Sequence, residues 1–162
     1  MNQRPDPKYV SIKEAQQKME HYCAYQDRCH KEVEAKLRTM ILIPEARDQI
    51  LLHLMQENYL NEERFAQSFA RGKFRIKKWG KSRITRELKL RAISAYNIKT
   101  ALKEIEDEEY LNTFHQLAEK KWESIHEVIL SKKKKKWIDY LNYRGWEPSL
   151  IFEKLNELTT SN

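Results

Sequence analysis

Between Asn61 and Thr100 the side chains able to hold a polyanion are crowded. Arg64, Arg71, Lys73, Arg75, Lys77, Lys78, Lys81, Arg83, Arg86 and Lys89, with Arg91 and Lys99, face only Glu62, Glu63 and Glu87, an excess of nine positive charges. Lysines and arginines at this density bind phosphates by releasing the counterions condensed on a nucleic acid. The same field would meet an acidic protein surface. Trp79, between Lys78 and Gly80, adds a ring that can stack on a base or pack beneath a helix. A second basic run, Lys132, Lys133, Lys134, Lys135 and Lys136, is too uniform to specify a ligand, and reads equally as an electrostatic patch or a solvated helix start.

Other reactive residues lead less far. Cys23 and Cys29 lie near His21 and His30, a thiolate and imidazole set that favours zinc, but the C-x-x-C turn that lets two thiolates converge is missing. Two reduced cysteines on or near helices are the simpler reading, and no metal or cofactor is expected. The sequence has no G-x-x-x-x-G-K-[ST] phosphate loop, no H-E-x-x-H and no glycine-rich strand-to-helix turn. Its carboxylates fall at helix starts and on charged faces, so catalysis is not expected.

The elements that carry these side chains repeat. Val33, Leu37, Leu42, Pro44, Leu51 and Leu54 recur as Ile84, Leu88, Ile93, Ala95, Leu102 and Ile105, and again as Trp137, Leu141, Trp146, Pro148, Leu155 and Leu158. The spacings of four, five, two, seven and three are unchanged in all three copies. Such periods mark arrays whose units bury their apolar faces partly against neighbours. With three Gly and four Pro in 162 residues and apolar positions at i, i+3 and i+4, the chain is expected to be all-α: three tandem three-helix repeats in an elongated, curved array. The repeats are placed at 1–57, 58–108 and 109–162. No apolar run is long enough to span a bilayer and the amino terminus lacks an export core, so a cytoplasmic protein, by default a monomer, is expected.

Local signals fill in the helices. Ser11 and Glu14 form a capping box, Val33 and Leu37 mark a second helix, and Pro44 suits the first turn of a third. Asn61 is an N-cap, with Glu62 and Glu63 at the positive end of the dipole. Phe65 and Phe69 sit at core spacing. Trp79-Gly80 ends the basic helix, Ser82 is expected to cap the next and Ser94 the one after. On that short helix Arg83 and Arg86 should face away from buried Ile84 and Leu88. The junction Glu57-Asn58-Tyr59-Leu60-Asn61 returns as Glu108-Glu109-Tyr110-Leu111-Asn112 and is expected to be reused. Charge alternates along the array: Ala101 to Ser131 is acidic, and Lys132 to Lys136 restore the positive field.

The string Tyr59-Leu60-Asn61-Glu62-Glu63-Arg64-Phe65-Ala66, the basic run to Lys78-Trp79-Gly80, and Ile84-x-x-Glu87-Leu88 together resemble the core of RecX regulatory proteins. The resemblance covers roughly Tyr9 to Leu158. Glu62 stands where the family usually has Asp, and Ile41 and Ala92 stand where Gly145 keeps the glycine usual before an apolar residue. A non-glycine there must accept a positive φ or take another turn. The resemblance implies a non-enzymatic modulator of the RecA recombinase. Such a protein would lie in the RecA filament on single-stranded DNA, limiting growth, ATP hydrolysis and strand exchange, and would bind naked DNA weakly. The alternative is a helical-repeat nucleic-acid-binding protein that acts without a recombinase partner.

Overall fold

The computed structural model describes residues 9–161; the amino-terminal stretch before them, read above for an export core, lies outside that range. The described residues form helices α1 (Ile12–Tyr25), α2 (His30–Arg38), α3 (Pro44–Gln56), α4 (Glu62–Lys77), α5 (Lys81–Leu90), α6 (Ala95–Leu102), α7 (Asp107–Ser124), α8 (Leu130–Tyr143) and α9 (Pro148–Thr160). They group into two compact units. Of the described residues, one holds 9–65 together with Arg91–Ile93, and the other holds Ala66–Leu90 and 94–161.

In the first unit α1 packs on α2 and α3 because its apolar side chains recur at helical spacing. Ala15, Met19 and Cys23 meet Val33, Leu37, Ile50, Leu54 and Leu60 in one core. Ser11 caps α1 through Glu14 N–H at 3.2 Å, and Pro44 opens α3 in its first turn. Cys29 precedes α2, where the Glu32 carboxylate accepts its N–H at 3.0 Å. After α3 the backbone turns at Asn58, whose φ is 60°. Asn61 then caps α4 as expected, accepting from Arg64 N–H at 2.9 Å.

Arg64 ties this junction together. Its Nε donates to Asp27 at 2.8 Å, and its Nη2 donates to the carbonyls of Asn58 and Tyr59 at 3.0 and 3.1 Å. Lysine cannot present this fork. Arg64→Ala should therefore cost about 1.5 kcal/mol in urea unfolding, with most of the Asp27 coupling visible in a double-mutant cycle with Asp27→Ala.

The second unit is built on aromatic residues. Trp137 and Trp146, which repeat the positions of Ile84 and Ile93, are both buried, as the repeat requires. Trp137 donates its indole N–H to the Ala118 carbonyl at 2.8 Å and meets Trp122 edge-on, with ring centroids 5.9 Å apart. Phe74, Tyr110, Phe114 and Trp146 form a second cluster, with Tyr110 and Trp146 centroids 4.7 Å apart. Buried Lys154 on α9 reaches Glu119 of α7 at 2.7 Å and Glu157 at 3.0 Å, which satisfies its charge.

Three expectations need correction. The helix after the basic loop begins at Lys81, so Ser82 lies inside it and does not cap it; Gly80 supplies the first accepting carbonyl, to Ile84 N–H at 3.2 Å. The recurring junction string starts its helix differently in its second appearance. Asn61 precedes α4, whereas Asn112 lies within α7, because the acidic first turn Asp107-Glu108-Glu109 starts that helix early and Tyr110 turns into the aromatic cluster. Arg83 does not stand clear of the fold, as described below.

The positions lacking the usual glycine resolve in different ways. Gly145 has φ of 85° and Ala92 accepts φ of 58°, at a cost of roughly 1 kcal/mol for its Cβ. Ile41 avoids the left-handed region altogether. It forms an isolated parallel bridge with Tyr9.

Candidate nucleic-acid interface

The basic loop between α4 and α5 is held by the turn between α8 and α9. α4 ends at Lys77, and Lys78 enters the left-handed region with φ of 57°. That turn points successive loop groups at the third repeat. Arg144 Nη1 donates to the Lys77 carbonyl at 2.6 Å and the Trp146 indole N–H to the Lys78 carbonyl at 3.2 Å. In return, Gly80 N–H donates to the Arg144 carbonyl at 2.8 Å, Lys81 N–H to the Tyr110 hydroxyl at 2.9 Å, and Ser82 N–H to the Gly145 carbonyl at 3.2 Å. The Lys81 and Ser82 amides at the start of α5 are thus satisfied by groups distant in sequence rather than by a local cap.

This geometry divides the predicted contact residues into two sets. Arg71 pairs with Glu104 at 2.9 Å, Arg75 with Glu109 at 3.5 Å, and Lys81 with Asp107 at 3.5 Å. Arg64 serves the junction already described. Lys73 sits 5.0 Å from the Trp79 ring centroid, and Arg83 lies 4.0 Å from the same centroid, so Trp79 packs between cations and the edge of Phe69. Arg83 also donates to the Tyr143 carbonyl at 3.0 Å, so its charge is engaged within the fold. Lys77, Lys78, Arg86 and Lys89 are exposed and, among the described residues, pair with no carboxylate.

The lysine run on α8 is mostly occupied. Lys135 pairs with Asp139 at 2.7 Å, Lys136 with Glu127 at 3.1 Å, and Lys133 lies 4.3 Å from the Trp122 ring centroid. Lys132 and Lys134 have no such partner among the described residues. Surface pairs of this kind contribute little to stability but reduce the local field. The run therefore offers fewer unpaired cations than the loop before α5 and the helix that follows it.

At the start of α5, Tyr110 accepts from Lys81 N–H and donates to the Glu147 carboxylate at 2.6 Å. Burial and the Glu147 hydrogen bond push its phenol well above the ordinary value of 10.0. A phenol that holds its proton more tightly when folded contributes stability that is intact below pH 10 and lost as pH rises above it. Tyr110→Phe should thus cost about 2 kcal/mol near neutrality and flatten the fall of stability above pH 10, measured by unfolding across an alkaline series.

The cysteines offer little chemistry. Cys23 and Cys29 are both buried, and burial pushes both thiols up, so the thiolate needed for metal binding or attack is disfavoured at neutral pH. Among the described residues no group of three or more His, Cys, Asp or Glu converges on a metal position. None of the described helices is long and apolar enough to cross a membrane.

The roles of Tyr110, Tyr143, Arg144 and Glu147 in holding the loop and the start of α5 were not legible in the sequence. Gly145 stood out only as the glycine usual before an apolar residue, and nothing local indicates that its carbonyl meets α5.

Comparison with known proteins is consistent along the chain. Residues 61–102 match the family model for RecX, second three-helix domain, and residues 107–155 match that for RecX, third three-helix domain. The chain is 32% identical over 142 residues to regulatory protein RecX of Lactobacillus gasseri, covering 83% of this chain and 51% of that one. It is 27% identical over 137 residues to regulatory protein RecX of Bacillus cytotoxicus, covering 85% and 51%. The chain spans about half the length of these curated relatives. The crystal structure of RecX from Lactobacillus salivarius has the same fold, with a TM-score of 0.77 at 24% identity over 92% of this chain and 97% of that one.

Proposed function

Since this chain belongs to the RecX family, we propose that it regulates the RecA recombinase, binding the RecA filament on single-stranded DNA and limiting its growth, ATP hydrolysis and strand exchange. The action is non-catalytic and cytoplasmic, carried by a monomer of three repeats at 1–57, 58–108 and 109–162. What supports this reading most is the loop before α5. Its backbone is hydrogen-bonded to the third repeat, while Lys77, Lys78, Arg86 and Lys89 keep their charges toward solvent. A rigid carrier with unpaired cations contacts phosphate without first breaking internal ion pairs. Neighbouring pairs such as Arg71 with Glu104 carry both signs and suit a protein surface of mixed charge.

The test is ATP hydrolysis by the cognate recombinase on single-stranded DNA with the protein titrated in. Dose-dependent suppression is the expected result. Unchanged hydrolysis together with tight binding to naked DNA at moderate salt would instead indicate a nucleic-acid-binding array that works without the recombinase.

A further inference from the structure

Tyr143, at the end of α8, is 72% exposed. Single exposed aromatics are ordinary on protein surfaces. This one is braced. The Arg83 guanidinium lies 4.5 Å from its ring centroid and 4.0 Å from that of Trp79, and it donates to the Tyr143 carbonyl at 3.0 Å. Trp79 is steadied in turn by Lys73 and by the edge of Phe69. Phe69, Lys73, Trp79, Arg83 and Tyr143 therefore form a ladder of alternating ring and cation contacts whose outermost member is an open ring.

One guanidinium covers at most one face of a phenol, and the exposure of Tyr143 leaves the other face free for a flat ligand. The ring is presented with its support in place, so stacking on it orders little that is not already ordered. The unpaired charges lie close by. Arg144, next in sequence to Tyr143, holds the Lys77 carbonyl, which places Lys77 and Lys78 beside this turn, and Arg86 follows Arg83 on α5 by about one helical turn. Four carboxylates of this unit, Glu104, Asp107, Glu109 and Glu147, are taken by Arg71, Lys81, Arg75 and Tyr110.

An open ring flanked by unpaired cations matches one polymer in particular, in which flat bases alternate with phosphates and the base faces are free. Duplex DNA hides those faces in its own stack. We propose that Tyr143 is a stacking platform for an unpaired base of single-stranded DNA, with Arg83 as the positioning residue beneath the ring and Lys77, Lys78 and Arg86 on the neighbouring phosphates. The proposal rests on the basic loop contacting DNA, as in the function proposed above, and adds a base contact to it.

The experiment compares binding of oligo-dT with binding of an abasic deoxyribose-phosphate strand of equal length, for the native chain, Tyr143→Ala and Tyr143→Phe. One stacked base corresponds to about a tenfold preference for oligo-dT. Tyr143→Ala should abolish that preference while leaving abasic-strand affinity unchanged, and Tyr143→Phe should retain it. Equal affinity of the native chain for both strands would overturn the proposal, as would an alanine variant that weakens both strands alike. Suppression of the recombinase ATPase, assayed in parallel on the native chain, separates the two readings. If suppression persists without a base preference, only the stacking platform is lost, whereas absent suppression removes the regulatory reading whatever the oligonucleotides show.

Discussion

Replacing Gly80 with alanine should lower stability by about 3 kcal/mol and the melting temperature by roughly 10 °C, a large effect for a single methyl group. A Cβ at Gly80 would fall well under 3.0 Å from the Gly145 carbonyl and from the Trp146 Cα. These are backbone atoms that cannot swing aside. They are also bonded back to the loop, since Gly80 N–H and Ser82 N–H donate to Arg144 and Gly145. Relief of the clash would therefore pull apart the hydrogen bonds that begin α5 and uncover Trp146, which is 2% exposed. Gly145→Ala should be at least as damaging, because its Cβ would strike the Arg83 backbone and its φ of 85° disfavours any side chain.

Gly72 provides the control within the same unit. It lies inside α4, and a Cβ there would meet nothing within 4 Å. Gly72→Ala should raise stability by about 0.5–1 kcal/mol through reduced entropy of the unfolded chain. Thermal unfolding of the two variants thus tests the loop contact directly. Equal melting temperatures for the Gly80 and Gly72 variants would show that the loop is not seated against Gly145 as described.

Reversing Lys77, Lys78 and Arg86 to glutamate should weaken single-stranded DNA binding by a hundredfold or more near 50 mM salt, an order-of-magnitude expectation from losing three phosphate contacts and adding like-charge repulsion. The slope of log affinity against log salt should become shallower by about two, at roughly 0.7 per phosphate on a single strand. Suppression of recombinase ATP hydrolysis should need correspondingly more protein. These three positions are chosen because their side chains have no carboxylate partner among the described residues, so stability should change little. The Arg144 bond to the Lys77 carbonyl is a backbone contact and survives the change.

Arg83 is left out of that variant for a physical reason. Reversing it would break its bond to the Tyr143 carbonyl and empty the space between Trp79 and Tyr143, so lost binding and lost structure would coincide. Anisotropy titrations across a salt series, with urea unfolding on the same samples, distinguish the two. An unaltered salt slope in the triple variant would mean that DNA is held elsewhere.

Much of the fold was legible from apolar spacing. A buried stripe recurring at helical intervals is a local property, because a helix turns every 3.6 residues whatever surrounds it. Val33, Leu37, Ile84, Leu88, Trp137 and Leu141 could be assigned inward on that ground, and all six are buried. Ser11, Asn61 and Ser94 could be assigned as caps because an N-cap bonds an amide only two or three residues away. The excess of positive charge after Asn61 was equally plain, since net charge needs no geometry.

Which of those cations remain unpaired was decided by tertiary structure. Arg71, Arg75 and Lys81 meet carboxylates 26 to 34 positions along the chain, and Arg83 meets a carbonyl 60 residues away. The start of α5 shows the same limit. Ser82 has the residue type of a cap, but amides of the loop and first turn find Arg144, Tyr110 and Gly145 instead, and a chain with those acceptors in place has no use for the serine. Periodicity determined the helices and their buried faces because it acts within one turn; the pairing of the cations was left to side chains and carbonyls that only folding brings into reach.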